Sequence, residues 1–330
     1  MKLTAMVDLD AFKYAVAFAG EKRKVVITHK TTGETFECAT RTEWHGRNKA
    51  KDKGKLAEIN ATRTSPYLWD EFDYEDVRTV EPIQNVLHTA KQNVKRVIDA
   101  SPATGAKYFI GKGDSFRLNL STLIKYKDRD DIVKPLLLDD VVEYMTKKFR
   151  AEVVEGYEVD DVITMEAWRR PDRFVLIEDK DAYGSGVNVY NFNKPEEGVI
   201  DTNCYGKLWI DEKGNVRGYG RMFKMWQVCH GDTVDNYKAN CFSDIDWGAK
   251  SAYYALVDCE DDKELFEQSL SVFQKLYPEP KVVTGWRGDK FEIDALYVFQ
   301  EMMDMAHMHR WENDFVNVRT VMDKLGVKYD

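Results

Sequence analysis

Three acidic clusters follow one another in the central part of this chain: Glu158-Val159-Asp160-Asp161, Asp179-Lys180-Asp181 and Asp232-Thr233-Val234-Asp235. Carboxylates gathered in one place repel each other, and each costs several kcal/mol if stripped of water without a partner. A fold that brings these seven together must therefore supply cations. Hard oxygen donors of this kind suit a divalent ion, and magnesium is the natural candidate.

The apolar periodicity around the clusters predicts an α/β protein. The stretch up to Val7 reads as a short buried strand ending at Asp8, and the run from Ala11 to Ala19 reads as a buried helix. Val25-Val26-Ile27-Thr28 and Gly33 to Cys38 suggest a hairpin, and Ile83, Val86, Leu87, Ala90, Val94 and Val97 fall at helical spacing. Strands are expected at Tyr108-Phe109-Ile110, Val153-Val154 and Phe174 to Ile177, with a polar, mixed-charge passage from Gly111 to Arg129. Asp139-Asp140 opens a helix to about Phe149, and another runs from Val162 to Trp168. Later come Val187 to Tyr190, a hairpin around Asp211 to Asn215, and periodic helical runs to Leu325. Strands alternating with acidic ends and helices form a mostly parallel sheet, whose ligands bind beyond the strands' carboxyl ends.

Composition narrows the class. Hydrophobic residues at 43% and charged residues at 32% describe a globular protein, and no apolar run approaches the roughly 20 residues of a bilayer crossing. The first residues lack the apolar core and small-residue cleavage site of a secretion signal, so a cytoplasmic protein is expected. The five scattered cysteines contain no Cys-x-x-Cys pair and read as reduced core thiols. His307 and His309, two apart, read as packed or solvated side chains rather than a metal site.

A net charge of −9 argues by itself against a nucleic-acid partner, whose phosphates are usually neutralised by Lys and Arg. Local charge runs the other way. Between Arg41 and Lys55, Arg41, Arg47, Lys49, Lys51, Lys53 and Lys55 face two acids, with Trp44 available for stacking. This stretch is either a solvated loop or an arm that tracks a phosphate backbone.

Asp8, Glu158, Asp160, Asp161, Asp179 and Asp181 each come at or just after an expected strand. Glu158 and Asp160, two apart on extended chain, point to one side, as do Asp179 and Asp181. Two magnesium ions held this way clamp a scissile phosphate, one helping to ionise the attacking water and the other stabilising the leaving oxygen. Each cluster also has a plainer reading: Asp160 and Asp161 as helix-capping residues, the Asp179 and Gly231-Asp232 segments as solvated turns. Their joint occurrence in this order, with Asp8 upstream, is harder to explain that way.

These residues also resemble a known family, the 5′ nucleases: the flap-endonuclease-like domain of bacterial DNA polymerase I and the 5′-3′ exonucleases and ribonuclease H proteins of bacteriophages. Val154 to Val162 resembles the family's Glu-Ala-Asp-Asp segment, Glu178 to Asp181 its Asp-x-Asp element, and Gly231 to Asn236 its Gly-Asp-x-x-Asp-Asn signature. Trp247 to Ala252 is similar to the Ile-Gly-x-Lys-Thr-Ala segment of the family's helix-three-turn-helix, which grips duplex backbone, often with K+. The resemblance implies a PIN/5′-nuclease-like sheet in residues 1–230, with an insertion at about 21–81 and an arch-like segment at about 111–139. Residues 231–330 would form a helical DNA-binding subdomain.

It further implies Asp8, Glu158 and Asp160 at a first metal, Asp179, Asp181, Asp232 and Asp235 at a second, and Asp161 between them. Tyr126-Lys127 resembles the pair whose Lys meets the scissile phosphate, Arg117 a further phosphate contact, and Gly248, Lys250, Ser251 and Arg129 nucleic-acid contacts. The implied activity is a metal-dependent 5′-3′ exonuclease that removes flaps or RNA primers, using two Mg2+ that Mn2+ can replace. The implied protein is a monomer in the cytoplasm of a bacterial host, phage-encoded, acting on DNA 5′ ends, flaps and nicks or on RNA–DNA hybrids, with replication proteins among its candidate partners.

One departure stands out. The family's second strand ends in an Asp, whereas here Ile110 is followed by Gly111-Lys112-Gly113, with Asp114 four positions on. Asp114 substitutes through a shifted loop, or Asp10 helps, or the first metal site is weak. A weak site would suit a second reading, a nucleic-acid-binding protein of the same fold with reduced catalysis.

Overall fold

The computed structural model describes residues 2–47, 53–129, 132–178 and 180–329. Asp179 and the basic-run residues Lys49 and Lys51 lie outside the described residues. The chain divides into two compact units, Met1–Phe12 with Asn93–Val133 and Met145–Asp330, and Lys13–Gln92 with Lys134–Tyr144.

The first unit is built on a six-stranded sheet. Across it the strands run Glu152–Gly156, Gly105–Ser115, Thr4–Asp8, Arg173–Ile177, Asn188–Asn191 and Val199–Asp201. All pairings are parallel except the last, where Asn188–Asn191 meets Val199–Asp201 antiparallel. Ala5, Met6 and Val7, like Phe174 to Ile177, are buried, which is why these strands read as unbroken apolar runs. Numbered by their appearance in the chain, the strands lie in the order 3-2-1-4-5-6 of a doubly wound sheet. The chain reverses its winding between Thr4–Asp8 and Arg173–Ile177, and such a sheet opens its ligand crevice beyond the carboxyl ends at that point.

The Gly105–Ser115 strand is longer than the sequence predicts. Its tail is carried by an irregular pairing with Glu152–Gly156, in which the register shifts between Gly111 and Ser115. Asp114 thus lies within the strand and is solvent-exposed. The helix predicted from Val162 begins earlier, at Val159, so Glu158 is its N-cap and Asp160 and Asp161 occupy its first turn. Glu158 and Asp160 therefore do not share an extended segment.

One continuous apolar core runs from Met6 and Phe109 through Phe223 and Trp226 to Phe299 and Val327, spanning both the 1–230 and 231–330 segments. Gly220–His230 is its central helix, with Met222, Phe223, Met225, Trp226, Val228 and Cys229 all buried. The helices that follow have clear start signals: the Asp261, Asp294 and Asn317 side chains accept from the backbone N–H groups of Glu264, Tyr297 and Thr320.

The second unit holds an antiparallel sheet of Thr35–Cys38, Glu21–His29 and Phe72–Val80 over Val25, Ile27, Cys38, Trp44 and Phe72. The hairpin predicted around Gly33 is present. Trp44 is not available for stacking on a base. It is 0% exposed, with ring centroids 5.2 Å from both Phe36 and Phe72, so it packs with them in the core over this sheet.

Glu21 anchors the start of that sheet's central strand. It accepts from Arg78 Nε at 2.9 Å and Nη2 at 2.8 Å, from Leu136 N at 2.7 Å and from Arg23 Nε at 2.5 Å. The Arg78 hydrogen bonds outweigh burial and lower its pKa to about 2. A folded-state pKa below the unfolded one gives stability that is full above the ordinary glutamate range and is lost as pH falls through about 2. Glu21→Gln is accordingly expected to cost on the order of 2 kcal/mol at neutral pH and nothing near pH 2. Urea unfolding of both proteins across this range checks it, and a pH-independent difference contradicts it.

Candidate active site at the carboxyl ends of the parallel strands

The site begins at the end of the Thr4–Asp8 strand, where Asp8 Oδ1 accepts from Asp10 N at 2.6 Å. Glu158 joins it from the N-cap of the Val159–Trp168 helix. Its side chain performs no capping bond and is drawn instead by cationic and phenolic donors. Lys127 Nζ donates to its Oε1, while Tyr126 Oη at 3.1 Å and Arg117 Nη1 at 2.9 Å donate to Oε2.

Asp235 arrives from a distant segment onto the same groups. Its Oδ2 accepts from Tyr126 Oη at 3.0 Å, and its Oδ1 lies 3.6 Å from Lys127 Nζ and 3.2 Å from Arg129 Nη2. The backbones are tied as well, since Lys127 N donates to Asp235 O at 2.9 Å and Asn236 Nδ2 to Lys125 O at 2.9 Å.

Asp232 follows the Gly220–His230 helix across Gly231, whose φ of +90° ends the helix. A Cβ there would lie 2.3 Å from Tyr237 O, so the turn requires glycine. Asp232 Oδ1 caps the next turn by accepting from Val234 N at 2.6 Å. That leaves Oδ2 to Lys180 Nζ at 3.1 Å, and Lys180 also donates to Asp181 Oδ1 at 3.3 Å. Gln227 Nε2, from the buried helix, donates to the same Asp181 oxygen at 2.5 Å.

The electrostatics show the clusters acting on one another. Burial, with the charges of Glu158, Asp161 and Asp181 added and Lys127 opposing, raises Asp160 to about 7. Burial opposes the Lys127 ammonium, but Glu158, Asp235 and Asp160 prevail and raise its pKa. Asp232 is held below its usual range, Lys180 overcoming burial, whereas Asp235 is raised by burial despite Lys127.

Two expected roles do not survive. Arg117 is 2% exposed and cannot meet a phosphate. Its guanidinium forks onto Asp161 at 2.5 and 2.8 Å, reaches Glu158, and donates to the carbonyls of Met305 at 3.1 Å and His307 at 2.6 Å. Asp161, 0% exposed, spends both oxygens on Arg117 and accepts a further bond from His309 N at 2.9 Å, so it is a buried anchor and not a metal ligand. His307 and His309 are themselves buried, past the end of the Ala295–Ala306 helix. Asp114 is exposed on its strand.

Gly248 is the N-cap of the Ala249–Leu256 helix, with nothing within 4 Å of where a Cβ would stand, and Lys250 beside it is exposed. Ser251 is half-buried in the same first turn. Trp247 Nε1 fixes this turn by donating to Cys229 O at 2.8 Å. Lys180 and Gln227 are site residues that sequence reasoning passed over. A lysine between two aspartates reads as a spacer, and Gln227 carries no motif beyond lying four residues before Gly231.

The donor set suits divalent cations. Among the described residues no three of these carboxylates close on a single point. Instead they pair about ammonium groups, Glu158 and Asp235 about Lys127 Nζ, and Asp181 and Asp232 about Lys180 Nζ. Each pair holds an ammonium group between carboxylate oxygens.

The arrangement defines a class: an acidic, lysine-bridged centre at the switch point of a doubly wound sheet. No family model and no curated protein matches the chain. Solved structures similar to it include two at 14% identity. One is a lysine-to-alanine mutant of T5 5′-exonuclease, covering 72% of this chain and 89% of that one with a TM-score of 0.39. The other is a T5 protein co-crystallised with metal ions, covering 73% and 91% with a TM-score of 0.42. At these scores the functional reading rests on the chain's own residues. Among the described residues no helix is long and apolar enough to cross a membrane.

Proposed function

We propose that the protein is a metal-dependent 5′-3′ exonuclease that also removes flaps or RNA primers, working on the 5′ ends of duplex or branched nucleic acid. One observation carries the reading. Glu158 and Asp160, Asp181, and Asp232 with Asp235, from three separate chain segments, meet around Lys127 and Lys180 beyond the carboxyl ends of the strands. The motif resemblance of those same three segments to the 5′ nucleases gives the reaction and its direction.

A bound Mg2+, or Mn2+ in its place, would help to ionise the attacking water and to neutralise the leaving oxygen. Asp8, Glu158 and Asp160 would hold one ion and Asp181 and Asp232 the other, with Asp179 and Asp235 assigned to the second by motif alone, Asp235 facing Glu158 across Lys127. Tyr126 orients the Glu158 and Asp235 carboxylates, its phenol kept protonated by burial. Lys127 is a compact cation on a mobile stem, suited to meet charge building on a non-bridging phosphate oxygen. Arg129 at the rim and the Gly248-Lys250-Ser251 helix start offer donors to the phosphate backbone, with K+ as a companion ion there.

A panel of nicked, flapped, RNA-primed and single-stranded substrates, labelled at the 5′ end and digested with Mg2+, tests this. Mononucleotides and short oligonucleotides released from 5′ ends, with flapped or nicked forms preferred, are expected. Tight binding without turnover would instead assign a nucleic-acid-binding protein of this fold.

A further inference from the structure

The hairpin expected around Asp211 to Asn215 is present, its strands Lys207–Ile210 and Val216–Tyr219 pairing antiparallel. Its two faces differ in kind. Leu208, Val216 and Gly218 are buried, and a Cβ on Gly218 would lie 2.9 Å from Phe223 Cδ2, so this face lies against the Gly220–His230 helix. The register sets Lys207 opposite Tyr219 and Trp209 opposite Arg217, and the alternation of each strand sends all four to the other face. There Lys207 Nζ stands 5.5 Å from the Trp209 ring centroid, and the Trp209 and Tyr219 rings meet edge to face at 6.4 Å. Arg217 Nε is held by Asp211 Oδ2 at 2.8 Å. Trp209 remains 38% exposed.

The alternation of cation and ring continues beyond the hairpin. A Cβ on Gly214, at its tip, would lie 3.6 Å from Lys250 Nζ. Tyr254, one turn past Lys250 on the same side of the Ala249–Leu256 helix, is 68% exposed. In a chain of net charge −9 this strip carries Lys207, Lys213, Arg217 and Lys250 against Asp211 and Glu212. Phosphates complement such an excess, but phosphates alone leave the open rings without a use. The bases of a duplex stack on one another, whereas unpaired bases stack on aromatic side chains beside cations that follow the backbone.

We propose that the outer face of the 207–219 hairpin binds unpaired nucleotides of the substrate, next to the duplex contact assigned to the Gly248-Lys250-Ser251 helix start. Trp209 stacks on a base, and Lys207 and Arg217 meet the flanking phosphates. The inference rests on the nuclease reading above and narrows its substrate to duplexes that carry a single-stranded extension or gap.

The test is fluorescence anisotropy of a labelled blunt duplex and of the same duplex with a single-stranded dT extension at its 5′ or 3′ end. Binding is measured in EDTA and again with Ca2+ in place of Mg2+, with thermal unfolding alongside. The wild type is expected to bind an extended form more tightly. Trp209→Ala should weaken that form about tenfold and leave the blunt duplex unchanged, while Trp209→Phe, which keeps a ring, retains most of the preference. If Trp209→Ala also lowers the thermal midpoint, Lys207→Glu decides, because Lys207 is exposed. A lost preference then supports the assignment, and a kept one overturns it. A wild type that binds blunt and extended forms alike, or a Trp209→Ala protein that weakens neither or both equally, overturns the hairpin assignment and leaves the nuclease reading standing. A wild type that binds no form in either condition removes both.

Discussion

Asp160→Ala and Asp181→Ala are each expected to lower the rate of phosphodiester cleavage at least about a thousandfold with the fold intact. The two effects arise together because these carboxylates are placed for cations and not for stability. Burial, with the charges of Glu158, Asp161 and Asp181, disfavours the ionisation of Asp160, and Lys127 compensates only in part. Removing its charge relieves repulsion, so the variant should unfold in chelator at the wild-type temperature or above it. Single-turnover cleavage with saturating Mg2+, paired with thermal unfolding in EDTA, reads both. A variant retaining full activity would remove the residue from the catalytic centre.

Arg117→Ala should have the opposite signature, a loss of about 3–5 kcal/mol in stability, because Asp161 is left buried without its counter-charge. Met305 and His307 lose carbonyl partners in the same step. Arg117→Lys restores charge but not the planar fork that spans Asp161, Glu158 and two carbonyls, so it should rescue little. Arg117→Met combined with Asp161→Leu should recover much of the loss, since an apolar pair of similar volume removes both buried charges. Urea unfolding of the four proteins checks this. If Arg117→Ala unfolds like the wild type but binds substrate poorly, the residue is a phosphate contact after all.

The contrast between those residues reflects what sequence can carry. Asp8 and Asp181 were legible because the strands before them, Thr4–Asp8 and Arg173–Ile177, are buried apolar runs, whereas Asp160 follows a largely exposed strand and stood out only through the acidic cluster it belongs to. Gly231-Asp232 was legible through its resemblance to the Gly-Asp-x-x-Asp-Asn signature, and the structure supplies the reason for the glycine, which alone fits the turn that ends the Gly220–His230 helix. Arg117 was misread because its partners lie far along the chain, Asp161 44 residues away and His307 190. A polar neighbourhood in sequence gave no hint of a buried one in space. Trp44 failed for the related reason that a basic run hid a core residue. The Phe72–Val80 strand was missed because its acids mask the alternation, which becomes plain only against the nine residues of Glu21–His29.

The doubly wound strand order could not be read at all, although it explains the location of the site. Local patterning gives the strands, but only the pairing of Thr4–Asp8 with Arg173–Ile177 on one side and Gly105–Ser115 on the other places the switch point between Asp8 and the acidic chain after Ile177.

The most direct test is a nicked duplex whose downstream strand carries distinguishable labels at its 5′ and 3′ ends, incubated with the wild-type protein in Mg2+ and in excess EDTA. Early release of the 5′ label in mono- or short oligonucleotides, retention of the 3′ label on the shortening strand, and no release in EDTA are expected. Early release of the 3′ label, or 5′ release undiminished by EDTA, would contradict the proposed function.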